Sequence, residues 1–235
     1  DAYAMESQHR ATRARDSGWF DQSVCPVEDE TGMPILERDD FIKPDTNMEV
    51  LGSLSASFEV IGAMGFDAMA LSRYPEVAKI EHVHTPGNSS GIVDGASAVL
   101  VGSEGAGKDL GLEPRGRVVG TAVLATDPVI MLTGPAPAAR KCLARAGLDQ
   151  EDIDLWEINE AFASVPLHYM RELNIDHEIT NVNGGAIAMG HPLGATGGCL
   201  VSIVLDELER RALHRAMISL CVGGGMGIAT IIERC

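Results

Sequence analysis

The sequence is poor in aromatic and basic residues, and it lacks any long apolar run. Aromatic side chains make up 4% of the 235 residues, and 34 acidic residues against 18 basic ones give a net charge of −16. An acidic surface of this kind repels a phosphate backbone, so we expect no nucleic-acid partner. A membrane-spanning helix needs roughly 18 consecutive apolar residues. The sequence contains no such run, so we expect no transmembrane segment.

Cysteine pairs at metal-binding or redox spacing are also missing. The five cysteines include no C-x-x-C pair, and their odd number does not suit a disulfide framework. We therefore expect reduced thiols, no metal site and a cytoplasmic location. The first residues have neither a basic start nor an apolar stretch, so they do not form a signal peptide. Because the chain starts without Met and already in a helical pattern, we expect further chain upstream.

From residue 117 onward, strand and helix patterns alternate. Strands are predicted at 117–125, 154–158, 180–183, 216–222 and 226–233, and helices at 137–146, 160–173 and 196–212. This order predicts an α/β fold in which helices cover a layered sheet. Three glycines join the last two strands, which is too short for a parallel crossover, so we expect an antiparallel hairpin there.

The first part of the chain has a less regular pattern. A helix is predicted over 1–15, irregular chain over 19–49, and an apolar, Met-rich stretch broken by glycines over 50–72. For that stretch we favour a loop packed on the protein's own core. A docking surface for a partner or a membrane is the alternative.

One histidine lies in the stretch that is richest in backbone-bending residues. His191 follows Gly190 and precedes Pro192, and glycines recur through residues 183–198. Such a turn, just before a predicted helix, directs a side chain into a site rather than into a core. A single histidine is more often structural or merely exposed, but these surroundings favour a catalytic role for His191.

Cys221 ends one buried strand and precedes glycines at 223–225. Glycines there let backbone N–H groups and a ligand approach closely, whereas Cys142 and Cys199, on helical stretches, are best explained as core residues. A thiol beside an imidazole would have a lowered pKa and exchange protons near neutrality. The alternative of a phosphate-binding loop is not favoured, because such loops need a helix directly after their glycines.

Two further segments are either structural or ligand-facing. Asn159 lies at a predicted strand-to-helix junction, where it could cap the helix or hold a water or a substrate carbonyl at the strand's end. Taken alone, capping is the simpler explanation. The segment at 87–91, G-N-S-S-G, is a turn by default, and only its association with the other segments makes it a ligand-facing loop.

Four segments together resemble the thiolase family, the 3-ketoacyl-CoA and acetoacetyl-CoA thiolases. They are G-N-S-S-G at 87–91, N-E-A-F-A at 159–163, N-G-G-A-I-A-M-G-H-P-L-G-A-T-G at 183–197 and C-V-G-G-G-M-G at 221–227. The resemblance implies the layered αβαβα thiolase fold, with two βαβαβαββ halves and a loop region. It divides this chain into a partial loop region at 1–91, the last strand and helix of the first half at 92–115, and the C-terminal domain at 116–235.

The resemblance also implies a reaction and a role for each site residue. A 3-ketoacyl-CoA is cleaved by coenzyme A in fatty-acid β-oxidation, or formed by the reverse Claisen condensation, with coenzyme A as substrate and no cofactor. His191 would activate a nucleophilic cysteine and bind the thioester oxygen together with a water held by Asn159. Cys221 would protonate the acetyl-CoA carbanion, and the Gly223 N–H would contribute to a second oxyanion site. Ser90 and Gly91 would line the pantetheine channel.

Two features of the family pattern are missing from this chain. The nucleophilic cysteine should lie in a C-x-[SG]-G setting that opens a helix, and Cys25 has neither the glycine nor the helix. Because covalent catalysis needs that nucleophile, we expect this chain alone to be inactive. Some thiolases also place an arginine beside the CoA adenine, in a motif that here reads L-S-A-S-F at 54–58. The sequence does not choose among the possible substitutes, which are Arg10, Arg13, Lys43 and Arg73.

Other functions and partners remain as alternatives. A β-ketoacyl synthase would carry histidine, or histidine and asparagine, in place of Cys221, which argues against that class. A non-catalytic thiolase-like protein that binds CoA or lipid, or an inactive fragment, is the non-enzyme alternative. Residues 60–85 resemble the β subunit of a bacterial trifunctional β-oxidation complex, which implies a hydratase/dehydrogenase α subunit as partner. A homodimer or homotetramer is expected from the family alone.

Overall fold

A computed structural model describes residues 1–235, in which strands and helices alternate from residue 116 onward. The helices are α1 (Ala2–Asp16), α2 (Met48–Gly52), α3 (Glu59–Ile61), α4 (Asp67–Arg73), α5 (Glu104–Leu110), α6 (Pro135–Ala146), α7 (Ser164–Leu173), α8 (Ala186–Met189) and α9 (Thr196–Arg210). The strands are β1 (Val27–Glu28), β2 (Pro34–Leu36), β3 (Gly116–Ala125), β4 (Leu155–Ile158), β5 (Arg215–Val222) and β6 (Met226–Arg234). A π turn at Gly62–Phe66 joins α3 to α4, and 3₁₀ turns lie at Gln150–Asp152 and His177–Ile179.

Four strands form the central sheet in the order β3-β6-β5-β4. β4 and β5 are parallel, whereas β6 runs antiparallel to both β5 and β3. β5 and β6 form the predicted hairpin, and its turn contains Gly224 and Gly225 at φ values of 80° and 82°, which favour glycine. The prediction of an α/β fold is confirmed, and the observed ends of β3, β5 and β6 lie within one residue of the predicted ends.

Helices cover both faces of the sheet. α6 and α7 pack on one face in a cluster of 15 buried residues that includes Trp156 and Tyr169. α9 packs on the other face in a cluster of eight buried residues that includes Leu208. Successive residues of β5 alternate between the two clusters, Met217 in the first and Ile218 in the second, as a strand buried on both faces requires. None of the helices combines the length and the hydrophobicity needed to cross a membrane.

α1 packs outside the sheet, against the segment that leads to His191. The predicted helix at 1–15 is confirmed as α1, which lies in contact with α8. Small buried side chains allow this close approach: Ala4 shares a cluster with Ile187, and Ala11 shares one with Ala188. The N-terminal helix therefore supports the site from outside the C-terminal sheet.

The apolar stretch at 50–72 does not pack on the core as predicted. Leu51 is buried in the cluster of α1 and α8, but Val60, Met64 and Met69 are 75%, 75% and 62% exposed. Gly65, at a φ of 110°, breaks the helical path between α3 and α4. No continuous apolar stripe forms that could reach the core, so the favoured interpretation is wrong for this part of the stretch.

The strand predicted at 180–183 is reduced to two isolated bridges, Thr180 with Trp156 and Val182 with Gly184. Asn181 has a φ of 46°, which is incompatible with an extended strand. Its side-chain amide takes the place of the backbone hydrogen bonds that a neighbouring strand would make with β4. Oδ1 accepts from Ile158 N at 2.8 Å, and Nδ2 donates to Ile158 O at 2.9 Å. A polar side chain thus closes the edge of β4 where a strand was expected.

The strand expected within 92–115 is not formed, although the helix is. Residues 92–103 have no regular secondary structure, and α5 follows them. Ile92 and Leu100 are 92% and 84% exposed. A strand is stable only when its backbone groups pair with a neighbour, and no strand of either sheet runs beside this segment. The domain boundaries at 91 and 115 stay predictions.

The packing of α9 can be tested through Leu208, which is fully buried. Leu208→Ala should lower the free energy of unfolding by about 2–5 kcal/mol, because it leaves a cavity between α9 and the sheet. Urea denaturation measures this change. The control is Leu167→Ala on α7, where the side chain is 49% exposed and a loss below about 1 kcal/mol is expected. Equal losses in the two variants would contradict the layered arrangement.

Candidate active site

Asn159 and Cys221 lie at the carboxyl ends of β4 and β5. The two strands are parallel, and Ile158 of β4 pairs with Ser219 of β5. Asn159 directly follows β4, and its N–H donates to Ser219 O at 2.9 Å. Cys221 lies two residues beyond Ser219, close to the end of β5. The strand register therefore brings Asn159 and Cys221 to the edge where open α/β sheets bind ligands.

His191 reaches this edge from the turn that follows α8. Gly190, at a φ of 82°, reverses the chain just before it. The His191 N–H donates to Gly91 O at 2.8 Å, and Nδ1 lies 2.6 Å from Thr196 Oγ1, at the start of α9. Nε2 lies 3.4 Å from Asn159 Nδ2. His191 is thus held through its backbone N–H and through both ring nitrogens.

This geometry prepares His191 to accept a proton. With Asn159 Nδ2 as donor, Nε2 is the acceptor nitrogen, and Nδ1 carries the hydrogen toward Thr196 Oγ1. Burial lowers the pKa of His191 below its ordinary value, because the cation loses solvation. The neutral ring, with its lone pair at Nε2 on the side of Asn159, suits a general base.

Asn159 does not cap a helix. α7 begins at Ser164, because the residues after Asn159 first pair with the 88–90 segment, where Ser89 bridges to Phe162. The Asn159 side chain is buried, and its Oδ1 has no hydrogen-bond partner within the chain. A buried amide oxygen without a partner is costly unless a ligand or a water supplies a donor. The capping explanation is therefore wrong, and this atom is free to bind.

Cys221 is partly buried, and its thiol differs from the prediction. The sequence suggests a lowered pKa, but burial raises the pKa of Cys221 above its ordinary value. The reason is that desolvation of the thiolate outweighs the one backbone hydrogen bond that favours it. The group therefore carries its proton near neutral pH, as a proton donor must.

The glycine turn after Cys221 is anchored on one side and open on the other. Gly225 O accepts from Thr126 N at 2.8 Å and from Thr126 Oγ1 at 2.9 Å. Gly223 is exposed, and a Cβ added there would meet no atom within 4 Å. The Gly223 backbone is therefore accessible to a ligand approaching Cys221.

Ser90 and Gly91 lie against the same edge. Ser90 donates from its N–H and from Oγ to Ala161 O, at 3.0 and 3.1 Å. Gly91 O holds the His191 N–H, and the Phe41 ring packs where a Cβ of Gly91 would lie. The structure thus joins both residues to the candidate site. Their contact with pantetheine stays a prediction.

Comparison with known proteins agrees with this arrangement. The family model of the thiolase C-terminal domain matches residues 112–234 of the sequence, and the family model of the thiolase N-terminal domain matches residues 1–66. The chain belongs to the thiolase family. The predicted thiolase fold is confirmed by the similarity to solved thiolase structures.

Individual relatives are similar along this whole chain. A mitochondrial 3-ketoacyl-CoA thiolase of Bos taurus is 43% identical over 99% of this chain and 54% of its own length. An acetyl-CoA acetyltransferase of Shinella zoogloeoides is 38% identical over 99% of this chain and 55% of its own. The crystal structure of the Bacillus anthracis acetyl-CoA acetyltransferase superposes with a TM-score of 0.85 at 36% identity, over 100% of this chain and 55% of that one.

A solved structure with a bound ligand is also similar. Human mitochondrial 3-ketoacyl-CoA thiolase in complex with CoA has a TM-score of 0.83 at 38% identity, over 100% of this chain and 54% of that one. The chain spans about half the length of the thiolases it matches.

Among the four candidate cations for CoA, Arg10 is excluded by its surroundings. It is 5% exposed, and its Nη1 donates to His177 O and Thr180 O at 2.8 and 2.9 Å. Arg10 therefore donates to backbone carbonyls at 177–180 and pairs with Glu6 and Glu178, so it is not available to a phosphate at the surface. Lys43 is exposed and lies over the Phe41 ring at 3.7 Å, close to the 87–91 segment. Arg13 and Arg73 are also exposed, and Arg73 pairs with Asp127.

The sequence interpretation misses two residues of this thiolase site. Thr196 holds His191 Nδ1, and Glu160 is a fully buried carboxylate beside Asn159. The signal for Thr196 is a hydroxyl residue at a predicted helix start, five positions after the histidine. Glu160 gives only a weak signal, an acidic residue within an otherwise apolar junction.

The protonation state of His191 can be measured directly. We expect its NMR titration midpoint below 6.5, the ordinary value, with the ring assigned by comparison with His191→Gln. Because the folded-state pKa is lowered, the contribution of His191 to stability is present above pH 6.5 and is lost as pH falls through its folded pKa. A midpoint at or above 6.5 would show that burial does not control this ring.

Proposed function

We propose that the complete protein is a thiolase that cleaves a 3-ketoacyl-CoA with coenzyme A in fatty-acid β-oxidation, and that catalyses the reverse condensation. The pairing of the His191 ring with the buried Asn159 amide carries this proposal, because its geometry suits both proton transfer and binding of a thioester oxygen. Family membership and the CoA complex of a similar human thiolase support the choice of substrate.

His191 supplies the base in this proposal. Its neutral Nε2 takes the proton from a nucleophilic cysteine, whose thiolate attacks the keto carbon and forms an acyl-enzyme. The buried Asn159 Oδ1, unpartnered within the chain, holds a water that stabilises the developing oxyanion together with the imidazolium. The family pattern assigns the nucleophile to the first half of a thiolase, and none of the five cysteines here has its C-x-[SG]-G setting.

Cys221 supplies the acid. Breaking the carbon–carbon bond leaves the electron pair on the acetyl-CoA carbon, and the Cys221 thiol protonates it. The raised pKa supports this role, because the thiol still carries a proton at neutral pH. The Gly223 N–H lies on the open side of the turn, where it can donate to the enolate oxygen. Coenzyme A then attacks the acyl-enzyme and releases the shortened acyl-CoA.

The acid–base assignments predict the activity of two variants of the complete protein. His191→Ala should lower kcat roughly 100-fold or more, because no other base faces the site. Cys221→Ser should lower kcat by a similar factor, because an alcohol is a far weaker acid than a thiol. Thiolysis of a 3-ketoacyl-CoA is followed by loss of its enolate absorbance, and circular dichroism checks the fold. Near-normal turnover in Cys221→Ser would overturn its assigned role.

We also propose partners and a location for the complete protein. The free cysteines support a reducing compartment, and we propose the cytoplasm, although the mammalian relatives are named as mitochondrial. We further propose a homodimer or homotetramer, and a hydratase/dehydrogenase α subunit bound through the exposed apolar residues of 60–69.

The proposed α subunit is tested by a pull-down from the native cell. The tagged complete protein should recover a hydratase/dehydrogenase, and Met64→Asp together with Met69→Asp should abolish this recovery while thiolysis persists. Recovery of the thiolase chain alone would contradict the proposed partner.

A further inference from the structure

The side chain next to Asn159 is a fully buried carboxylate with four hydrogen-bond donors. Glu160 Oε1 accepts from Tyr3 Oη at 2.7 Å and from Asn181 Nδ2 at 3.0 Å. Glu160 Oε2 accepts from Ser7 Oγ at 2.7 Å and from Ile187 N at 3.1 Å. Each oxygen receives two donors. The four hydrogen bonds therefore need both oxygens of Glu160 to act as acceptors, as in the ionised carboxylate.

These four donors belong to three separate parts of the chain. Tyr3 and Ser7 lie on α1, Asn181 closes the edge of β4, and Ile187 lies on α8. Ser7 Oγ also accepts from Gly185 N at 3.1 Å, and the Glu160 carboxylate packs where a Cβ of Gly185 would lie. The carboxylate thus fixes the position of the residue after Asn159 against all three segments.

The two members of the Asn159–His191 pair are anchored differently. The His191 ring has its own partner at Nδ1, Thr196, and its backbone is held by Gly91. The Asn159 side chain has the His191 contact, at 3.4 Å, and no other hydrogen bond within the chain. Its position must therefore be set through its backbone, between Ser219 O on one side and Glu160 on the other.

We infer that Glu160 is a positioning residue that sets the Asn159 amide against His191 Nε2. This inference rests on the proposed thiolase function. Glu160 does not touch substrate; it acts through Asn159. Exact placement matters because the water and the thioester oxygen must meet both groups, and a displacement of about 1 Å can cost roughly 100-fold in rate.

The charge environment is consistent with an anchoring carboxylate. Burial and repulsion by Glu160 both raise the pKa of Tyr3, so the phenol keeps the proton that it donates. Burial is the main cause, and repulsion by Glu160 the second, of a pKa of Glu157 well above its ordinary value. Both causes favour the protonated form of Glu157 over a second buried carboxylate beside Glu160.

Glutamine at position 160 has nearly the same size and shape as glutamate, but it cannot accept all four hydrogen bonds. If its NH₂ group faces Ile187, a backbone N–H loses its acceptor. If it faces Tyr3 and Asn181, Asn181 Nδ2 can still donate to Tyr3 Oη at 3.1 Å, but the Tyr3 O–H loses the one acceptor that it has within the chain. Either orientation leaves one buried donor unpaired, which shifts the segment that carries Asn159.

The test compares Glu160→Gln in two backgrounds of the complete protein, with a 3-ketoacyl-CoA as substrate. In the otherwise unchanged protein, we expect kcat to fall roughly 10- to 100-fold, with KM within about threefold. In the Asn159→Ala background, we expect the same substitution to change kcat by less than about twofold, since the group it positions is absent. Glu160→Asp should not restore kcat, because the shorter side chain cannot reach all four donors.

A structural role alone would give a different pattern. Leu208→Val, in the α9 cluster, is the control for lost stability and should leave kcat unchanged at a temperature where the protein stays folded. Equal losses from Glu160→Gln in both backgrounds, or no loss in either, would overturn the inference while the proposed function stands. Failure of the unsubstituted complete protein to cleave any 3-ketoacyl-CoA would overturn both. Should Glu160→Gln not fold, Ser7→Ala removes one donor and carries the same two-background comparison.

Discussion

The parallel pairing of β4 with β5 is the constraint on which the site depends. The ladder continues one step beyond β4, where Asn159 N donates to Ser219 O at 2.9 Å. Parallel strands end at the same edge, so this register fixes Asn159 and Cys221 at one end of the sheet, although they are far apart in sequence. β4 has only four residues, all buried, and the Asn181 amide closes its other edge. A one-residue slip would turn Trp156 out of its cluster, which makes the register costly to change.

Burial, rather than a neighbouring charge, controls the protonation of His191 and Cys221. It is the main cause of the lowered pKa of His191 and of the raised pKa of Cys221. Loss of solvation penalises whichever form is charged, so one physical effect favours both a neutral imidazole and a protonated thiol. The net charge of −16 has little influence at this depth, since salt screens exposed charges beyond roughly 8–10 Å.

The sequence predicts features that local chemistry determines. Gly147 ends α6 at a φ of 66°, and the glycines at 223–225 turn the hairpin, so both features are visible in the sequence. Features that depend on residues distant in the sequence cannot be predicted in this way. Asn181 replaces a strand because its amide finds the edge of β4, and Arg10 is unavailable to a phosphate because distant carbonyls hold it. The raised pKa of Cys221 likewise follows from burial, which only the assembled layers create.

The missing strand at 92–103 illustrates the same difference between locally determined features and features that depend on distant partners. Every second residue from 91 to 97 contacts the loop at 190–195, so the segment has the period of an extended chain without a strand partner. The four contacts are Gly91 with His191, Val93 with Gly190, Gly95 with Pro192, and Ser97 with Ala195. The side chain of Ile92, between them, points to solvent. The partner of this segment is therefore the loop at 190–195 rather than a sheet. Because Gly91 holds the backbone of His191 and Thr196 holds its ring, the orientation of His191 depends on the predicted loop region and on the predicted C-terminal domain together.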